Sequence, residues 1–101
     1  MSENLADYKC RVPIQVRFSD LDLYGHVNNA TYLSYFETGR LHYWKDVLQW
    51  DWNINGIILA RAEVNYLKPI NRGDEVACYV RTTRIGNSSF DVMHVLVKVT
   101  P

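Results

Sequence analysis

Apolar and polar positions alternate over residues 10–18. Ile14, Val16 and Phe18 fall on one face and Pro13, Gln15 and Arg17 on the other, which predicts a first strand. Pro13 has no N–H to give to a ladder, so this strand belongs at a sheet edge, or the proline marks its beginning. The pattern then turns polar over residues 19–28. Residues 29–48 carry the longest helical pattern, with Ala30, Leu33, Phe36, Leu41, Trp44, Val47 and Leu48 near helical spacing and Tyr32, Tyr35 and Tyr43 between them. A helix apolar around so much of its circumference is expected to be wrapped by other structure. Gly39 in its middle costs about 1 kcal/mol of helix propensity relative to alanine; close approach to a sheet is the reading we favour.

Three strand-like segments follow a linker at 49–56, in which Trp50 and Trp52 are expected to cover a core edge or an interface. They are 57–67, then 75–84 after the turn Asn71-Arg72-Gly73-Asp74, then 88–99 after the turn Ile85-Gly86-Asn87. The last alternates Phe90, Val92, His94, Leu96 and Lys98 with Asp91, Met93, Val95, Val97 and Val99, and its later half is apolar on both faces, as in an internal strand. Strand, long helix, then three strands predict an α+β layer fold in which the helix packs on an antiparallel sheet.

Length narrows this to one domain over residues 1–101, with 1–9 a loose lead-in. Hydrophobic residues make up 48% of the chain, enough for a packed core. The formal net charge is zero, which argues against nucleic acid or an anionic membrane as the main partner. Cys10 and Cys78 have no metal-type spacing and read as reduced, packed thiols. The first nine residues lack the apolar run of a signal peptide, and no window approaches a membrane span. A cytoplasmic, soluble protein is expected.

The chemistry gathers in the polar loop. Asp20, Asp22, Gly25, His26, Asn28 and Asn29 lie within ten residues, directly before the helix. Asn28 or Asn29 can cap that helix, and the free N–H groups of a helix start can face a ligand together with a carboxylate. Asp22 on its own reads more readily as a turn-capping acid than as a catalyst. Asp20 lies two residues away on the same side of an extended chain, where like charge would raise one pKa; its main role is read as structural. Glu37 and Arg40 can pair on the helix. His42 and His94 read as packing residues, and three scattered histidines make no metal site.

Two blocks identify a resemblance. Arg17-Phe18-Ser19-Asp20-Leu21-Asp22, Gly25-His26-Val27-Asn28-Asn29, Tyr32 and Tyr35-Phe36-Glu37 form the first; Ala62-Glu63-Val64-Asn65-Tyr66-Leu67-Lys68-Pro69 and Gly73-Asp74-Glu75-Val76 form the second. With the helix between them, they resemble the hotdog-fold acyl-CoA thioesterases of the 4-hydroxybenzoyl-CoA thioesterase group over about residues 10–99. The resemblance implies a long helix wrapped by a curved antiparallel sheet, and a homodimer or homotetramer with active sites at the dimer interface. It implies hydrolysis of an acyl-CoA with no cofactor. Asp22 matches the catalytic acid, acting as base or nucleophile, and the Asn29 N–H matches the oxyanion donor. Tyr24, Gly25, His26, Asn28, Tyr32, Glu63 and Asn65 are the expected substrate contacts, with His26 a possible auxiliary group. For the phosphates of coenzyme A, Arg61, Lys68, Arg72, Arg81 and Arg84 are available, although surface solvation explains them equally well. The resemblance implies one more strand, inside the sheet, than this sequence supplies; either the sequence is a fragment, or another segment fills the gap by exchange between protomers. The competing readings are a non-catalytic acyl-thioester binding protein or inactive remnant, and a dehydratase or hydratase whose histidine motif the chain does not show.

Overall fold

The computed structural model describes residues 4–51 and 56–99. Three antiparallel strands form one sheet: β1 (Cys10–Ile14), β2 (Val76–Ile85) and β3 (Phe90–Lys98), in spatial order β1-β2-β3. Pro13 sits opposite Ala77 on edge strand β1, where its missing N–H is tolerated. β1 ends at Ile14, short of the expected Phe18. The chain then makes a single 3-10 turn over Phe18–Asp20, which breaks the alternation. The β2–β3 pairing carries an irregularity between Thr82 and Arg84.

The helix α1 (Thr31–His42) crosses the sheet, and its winding loosens into a π turn over Tyr43–Leu48. Gln49, in the left-handed conformation at φ 51°, ends it. The helix is not wrapped all round, as the pattern predicted. Leu33 and Leu41 are about half exposed, and the buried stripe is Tyr32, Tyr35, Gly39, Tyr43 and Trp44. The sheet covers one face only, so the tyrosines rather than the leucines supply the core side. That stripe packs on Cys10, Val12 and Ile14 of β1 and Val76, Cys78 and Val80 of β2. At Gly39 the helix lies close against the sheet. A Cβ there would lie 2.6 Å from Cys78 Sγ and 3.2 Å from Val80 Cγ2, so the close approach read from the sequence is what the glycine serves.

The segment 57–67 is not a strand, contrary to expectation. A strand needs a ladder to satisfy its backbone groups, and neither sheet edge pairs with this stretch. Ile58 and Leu67 are 91% and 84% exposed. The lead-in is also more ordered than expected: Leu5–Asp7 makes a 3-10 turn, and Tyr8 is buried edge-on against Tyr79 with the Arg81 guanidinium over its ring. Trp50 stacks near Trp44 at the core's edge, while Trp52 lies outside the described residues. Cys10 and Cys78 are free, buried thiols. Burial pushes both up, Cys78 to about 12. Among the described residues no ion pair joins Glu37 to Arg40, and no helix is long and apolar enough to cross a membrane.

Candidate functional site

The polar loop folds into a small ribbon. Leu21 bridges Val27, and the Asp22 N–H donates to the His26 carbonyl at 2.7 Å. The Gly25 N–H closes the tip onto the Asp22 carbonyl at 3.1 Å, with Gly25 at φ +78°, a conformation side chains disfavour. The turn before β2 adds a third strand-like edge. Val27 N–H donates to the Ile70 carbonyl at 2.8 Å and Arg72 N–H to the Gly25 carbonyl at 3.0 Å, with His26 bridging Asn71. The two halves of the chain that carry the resemblance thus meet here.

Asp20 fastens the ribbon to the helix. It is only 5% exposed and accepts from the Tyr35 hydroxyl at 2.7 Å and the Arg17 N–H at 3.0 Å, with the Arg17 guanidinium 3.6 Å away. Burial works to raise its pKa, but the Tyr35 hydroxyl and the Arg17 contacts outweigh it and hold the carboxyl below its usual value. Burial, followed by the Asp20 contact, pushes Tyr35 upward. The sequence alone points to like-charge elevation beside Asp22; the structure gives Asp20 donors instead, and its shift runs the other way.

A cleft of about 240 Å³ opens beside the ribbon, lined by Asp22, His26, Val27, Asn29 and Tyr32 and by Tyr66, Leu67, Lys68 and Pro69. Asp22 Oδ1 accepts from the N–H groups of Tyr24 (2.9 Å) and His26 (3.2 Å). The turn-capping role is therefore real, yet Oδ2 has no hydrogen-bond partner among the described residues. Asn28 Oδ1 accepts from the Ala30 N–H at 3.0 Å and the Asn28 carbonyl from the Thr31 N–H, a turn that leads into the helix; the N-cap itself is Ala30, without a side-chain cap, rather than the expected Asn28 or Asn29, because Asn28 spends its side chain on this turn. Between those satisfied groups, the Asn29 N–H has no acceptor among the described residues. It lies just ahead of the positive end of α1, a setting suited to a developing negative oxygen.

Of the expected contacts, Asp22, His26, Asn29 and Tyr32 come together at the cleft. Gly25 and Asn28 shape its rim through the backbone. Tyr24 is 85% exposed and outside the lining. Glu63 and Asn65 are also exposed and outside it, and Glu63 instead faces Arg61 at 3.5 Å. Tyr66 is the residue that sequence reasoning passed over. Its hydroxyl donates to the Asn29 carbonyl at 3.1 Å and its ring meets Tyr32 edge-on at 5.1 Å. It stood within the second matched block, but nothing in a strand-like pattern singled it out. Tyr32 in turn accepts from the Ile70 N–H at 3.1 Å. His42 is surface-exposed near Asp46 rather than packed. His94 is packed against the Phe36 ring at 5.4 Å; burial, then Arg40, pushes it down to about 4.

Comparison with known proteins gives one consistent picture. The model of the thioesterase-like superfamily matches residues 16–100. A Bacillus subtilis protein of uncharacterised function, YsmA, is 35% identical over 77 residues, 75% of this chain and 52% of its own length. The chain thus spans about half of that curated relative. Among solved structures, a Thermus thermophilus thioesterase complexed with coenzyme A and zinc is 46% identical. It superposes with a TM-score of 0.80 over 90% of this chain and 68% of its own. The PA5185 protein of Pseudomonas aeruginosa is 30% identical, with a TM-score of 0.80 over 92% of this chain and 66% of its own. Among the described residues here, no three His, Cys, Asp or Glu side chains group as metal ligands. The central helix on its antiparallel sheet is the hotdog arrangement, and this chain belongs to the thioesterase-like superfamily.

Proposed function

We propose that this chain hydrolyses an acyl-CoA to the free acid and coenzyme A, with Asp22 as base or nucleophile and the Asn29 N–H as oxyanion donor. The observation that carries the reading is the pairing, in one cleft, of a carboxylate with an uncommitted oxygen and a backbone donor with no internal acceptor. In the base route, Asp22 takes a proton from water as the water oxygen attacks the thioester carbonyl. The carbonyl oxygen becomes negative and accepts from Asn29. Collapse breaks the C–S bond, and the leaving thiolate takes up the proton. In the nucleophile route, Asp22 first displaces the thiolate to form an anhydride that water then opens. Membership of the superfamily and the coenzyme A held by the Thermus relative support the substrate class.

Asp22→Asn tests the assignment cleanly. An Asn side-chain oxygen still accepts from the Tyr24 and His26 N–H groups, so the ribbon keeps its turn, while the basic carboxylate is gone. Thiol release from a panel of acyl-CoAs should fall by roughly 10²–10⁴-fold with an unchanged melting temperature. Equal turnover by parent and variant, or none by a folded parent, rejects the proposal.

A further inference from the structure

The Asn29 N–H assigned to the oxyanion belongs to the peptide between Asn28 and Asn29. A peptide is a rigid plane, so this donor is aimed by whatever fixes the chain on its two sides. On one side the Asn28 N–H donates to the Asp20 carbonyl at 2.9 Å and the Asn28 carbonyl accepts from the Thr31 N–H at 2.8 Å. On the other the Asn29 carbonyl accepts from the Tyr32 N–H at 3.3 Å, beyond the usual range of about 2.7–3.2 Å, and from the Tyr66 hydroxyl at 3.1 Å. The tyrosine thus supplies the shorter of these two bonds, and it comes from 37 positions along the chain. Its ring is set edge-on against buried Tyr32, whose own hydroxyl accepts from the Ile70 N–H. Tyr66 is 48% exposed, so its hydroxyl fills no buried vacancy. Water can replace it at the Asn29 carbonyl with little loss of stability. What water does not replace is a fixed direction, and an oxyanion donor works by being aimed before the charge develops.

We propose that Tyr66 is a positioning residue for thioester hydrolysis: bonded to the Asn29 carbonyl, its hydroxyl holds the Asn29 N–H toward the carbonyl oxygen that becomes negative. This assignment rests on the thioesterase reading and adds to it a group that acts through Asn29 rather than on the reacting atoms. The proton that moves in the reaction stays with water and Asp22, and Tyr66 gives up none. Losing an oxyanion donor outright costs roughly 10²–10³-fold in kcat. A donor that stays in place but is aimed less well costs less, and a fall of about tenfold is expected.

The test is steady-state thiol release from an acyl-CoA by the whole chain, for the parent, Tyr66→Phe, Tyr66→Leu and, as a reference, Asp22→Asn. Tyr66→Phe keeps the ring against Tyr32 and removes only the donor. Its kcat should fall about tenfold while KM stays within about twofold of the parent's. The melting temperature and the shape of the pH–rate profile should not change. A trifluoromethylketone analogue of the acyl-CoA, whose carbonyl adds water to mimic the tetrahedral intermediate, should lose affinity by the same factor as kcat. Tyr66→Leu should lose at least as much kcat, and it reads the hydroxyl again if Tyr66→Phe folds poorly. A kcat like the parent's in either variant overturns the proposal, and so does a loss carried by KM alone. A pH profile that loses a limb in Tyr66→Phe overturns it too, by making the hydroxyl itself an acid or base. If Asp22→Asn is inactive while both Tyr66 variants match the parent, the positioning role fails and the thioesterase reading stands; a folded parent without turnover ends both.

Discussion

At the scale of single residues, Asp20 and Tyr35 show how a buried charge holds a loop in place. The carboxylate has lost nearly all contact with water, and its pKa stays low only because donors replace that water. Tyr35→Phe removes the 2.7 Å donor and leaves the rest of the packing intact. The loss should be about 1.5–3 kcal/mol, the usual cost of a hydrogen bond to a charged group. Its pH dependence follows from linkage. A carboxyl whose folded pKa lies below its unfolded value of about 3.9 contributes stability that is present above that pH and lost as pH falls through the folded pKa. Without Tyr35, burial is opposed by less, the folded pKa rises, and the acid-unfolding midpoint should move to higher pH. Circular dichroism followed through an acid titration reads that midpoint, and an unmoved midpoint would show that Tyr35 is not what holds Asp20 ionised. Asp20 was legible in the sequence as a structural acid, but the direction of its shift was not, because Tyr35 reaches it across 15 positions of chain.

Among the elements, the helix-to-sheet contact is set by a missing atom. A methyl group at Gly39 would meet the fully buried Cys78 side chain at 2.6 Å, with Val80 just behind. Gly39→Ala gains about 1 kcal/mol of helix propensity, but overpacking a close-packed site costs about 1–3 kcal/mol. The variant should melt lower, and adding Cys78→Ala should restore much of the loss. Thermal melts of the single and double variants form the cycle that shows whether the two sites couple. The periodicity exposed this element and its glycine, since 3.6-residue spacing survives whichever side chains fill it. It placed Trp44 and Phe36 on the core side correctly but misplaced Leu33 and Leu41, which outrank tyrosine on any hydropathy scale. Tyr32, Tyr35 and Tyr43 are nonetheless the buried ones, each hydroxyl finding a partner: the Ile70 N–H, Asp20 and Thr82. The segment 57–67 has strand composition without strand pairing, a difference that local pattern cannot report. The cleft was half legible for the same reason. Asp22, His26 and Asn29 are near neighbours in sequence, whereas Tyr66 arrives from 37 residues beyond Asn29.

At the scale of the whole molecule, the sheet leaves its apolar work unfinished among the described residues. β3 is paired on the β2 side alone, and its outer edge carries backbone donors and acceptors with no strand beside them. Its Val92, Met93, Val95, Leu96 and Val97 are only partly buried, and elsewhere on the surface Ile58, Leu59 and Leu67 are exposed. Apolar surface of this kind is covered by association when a partner is at hand. The resemblance led to the expectation of a homodimer or homotetramer, and the exposure pattern gives that expectation a physical driving force. Sedimentation equilibrium should return a mass of at least twice 11.8 kDa. Charging the exposed apolar surface with Ile58→Lys and Leu59→Lys should shift the protein toward monomer. Those side chains are exposed within the chain, so their replacement should leave the fold's own packing untouched. The far-ultraviolet spectrum should therefore stay constant while the mass falls. A parent that sediments as a monomer would instead mean that this apolar surface stays in water and supplies no drive to association.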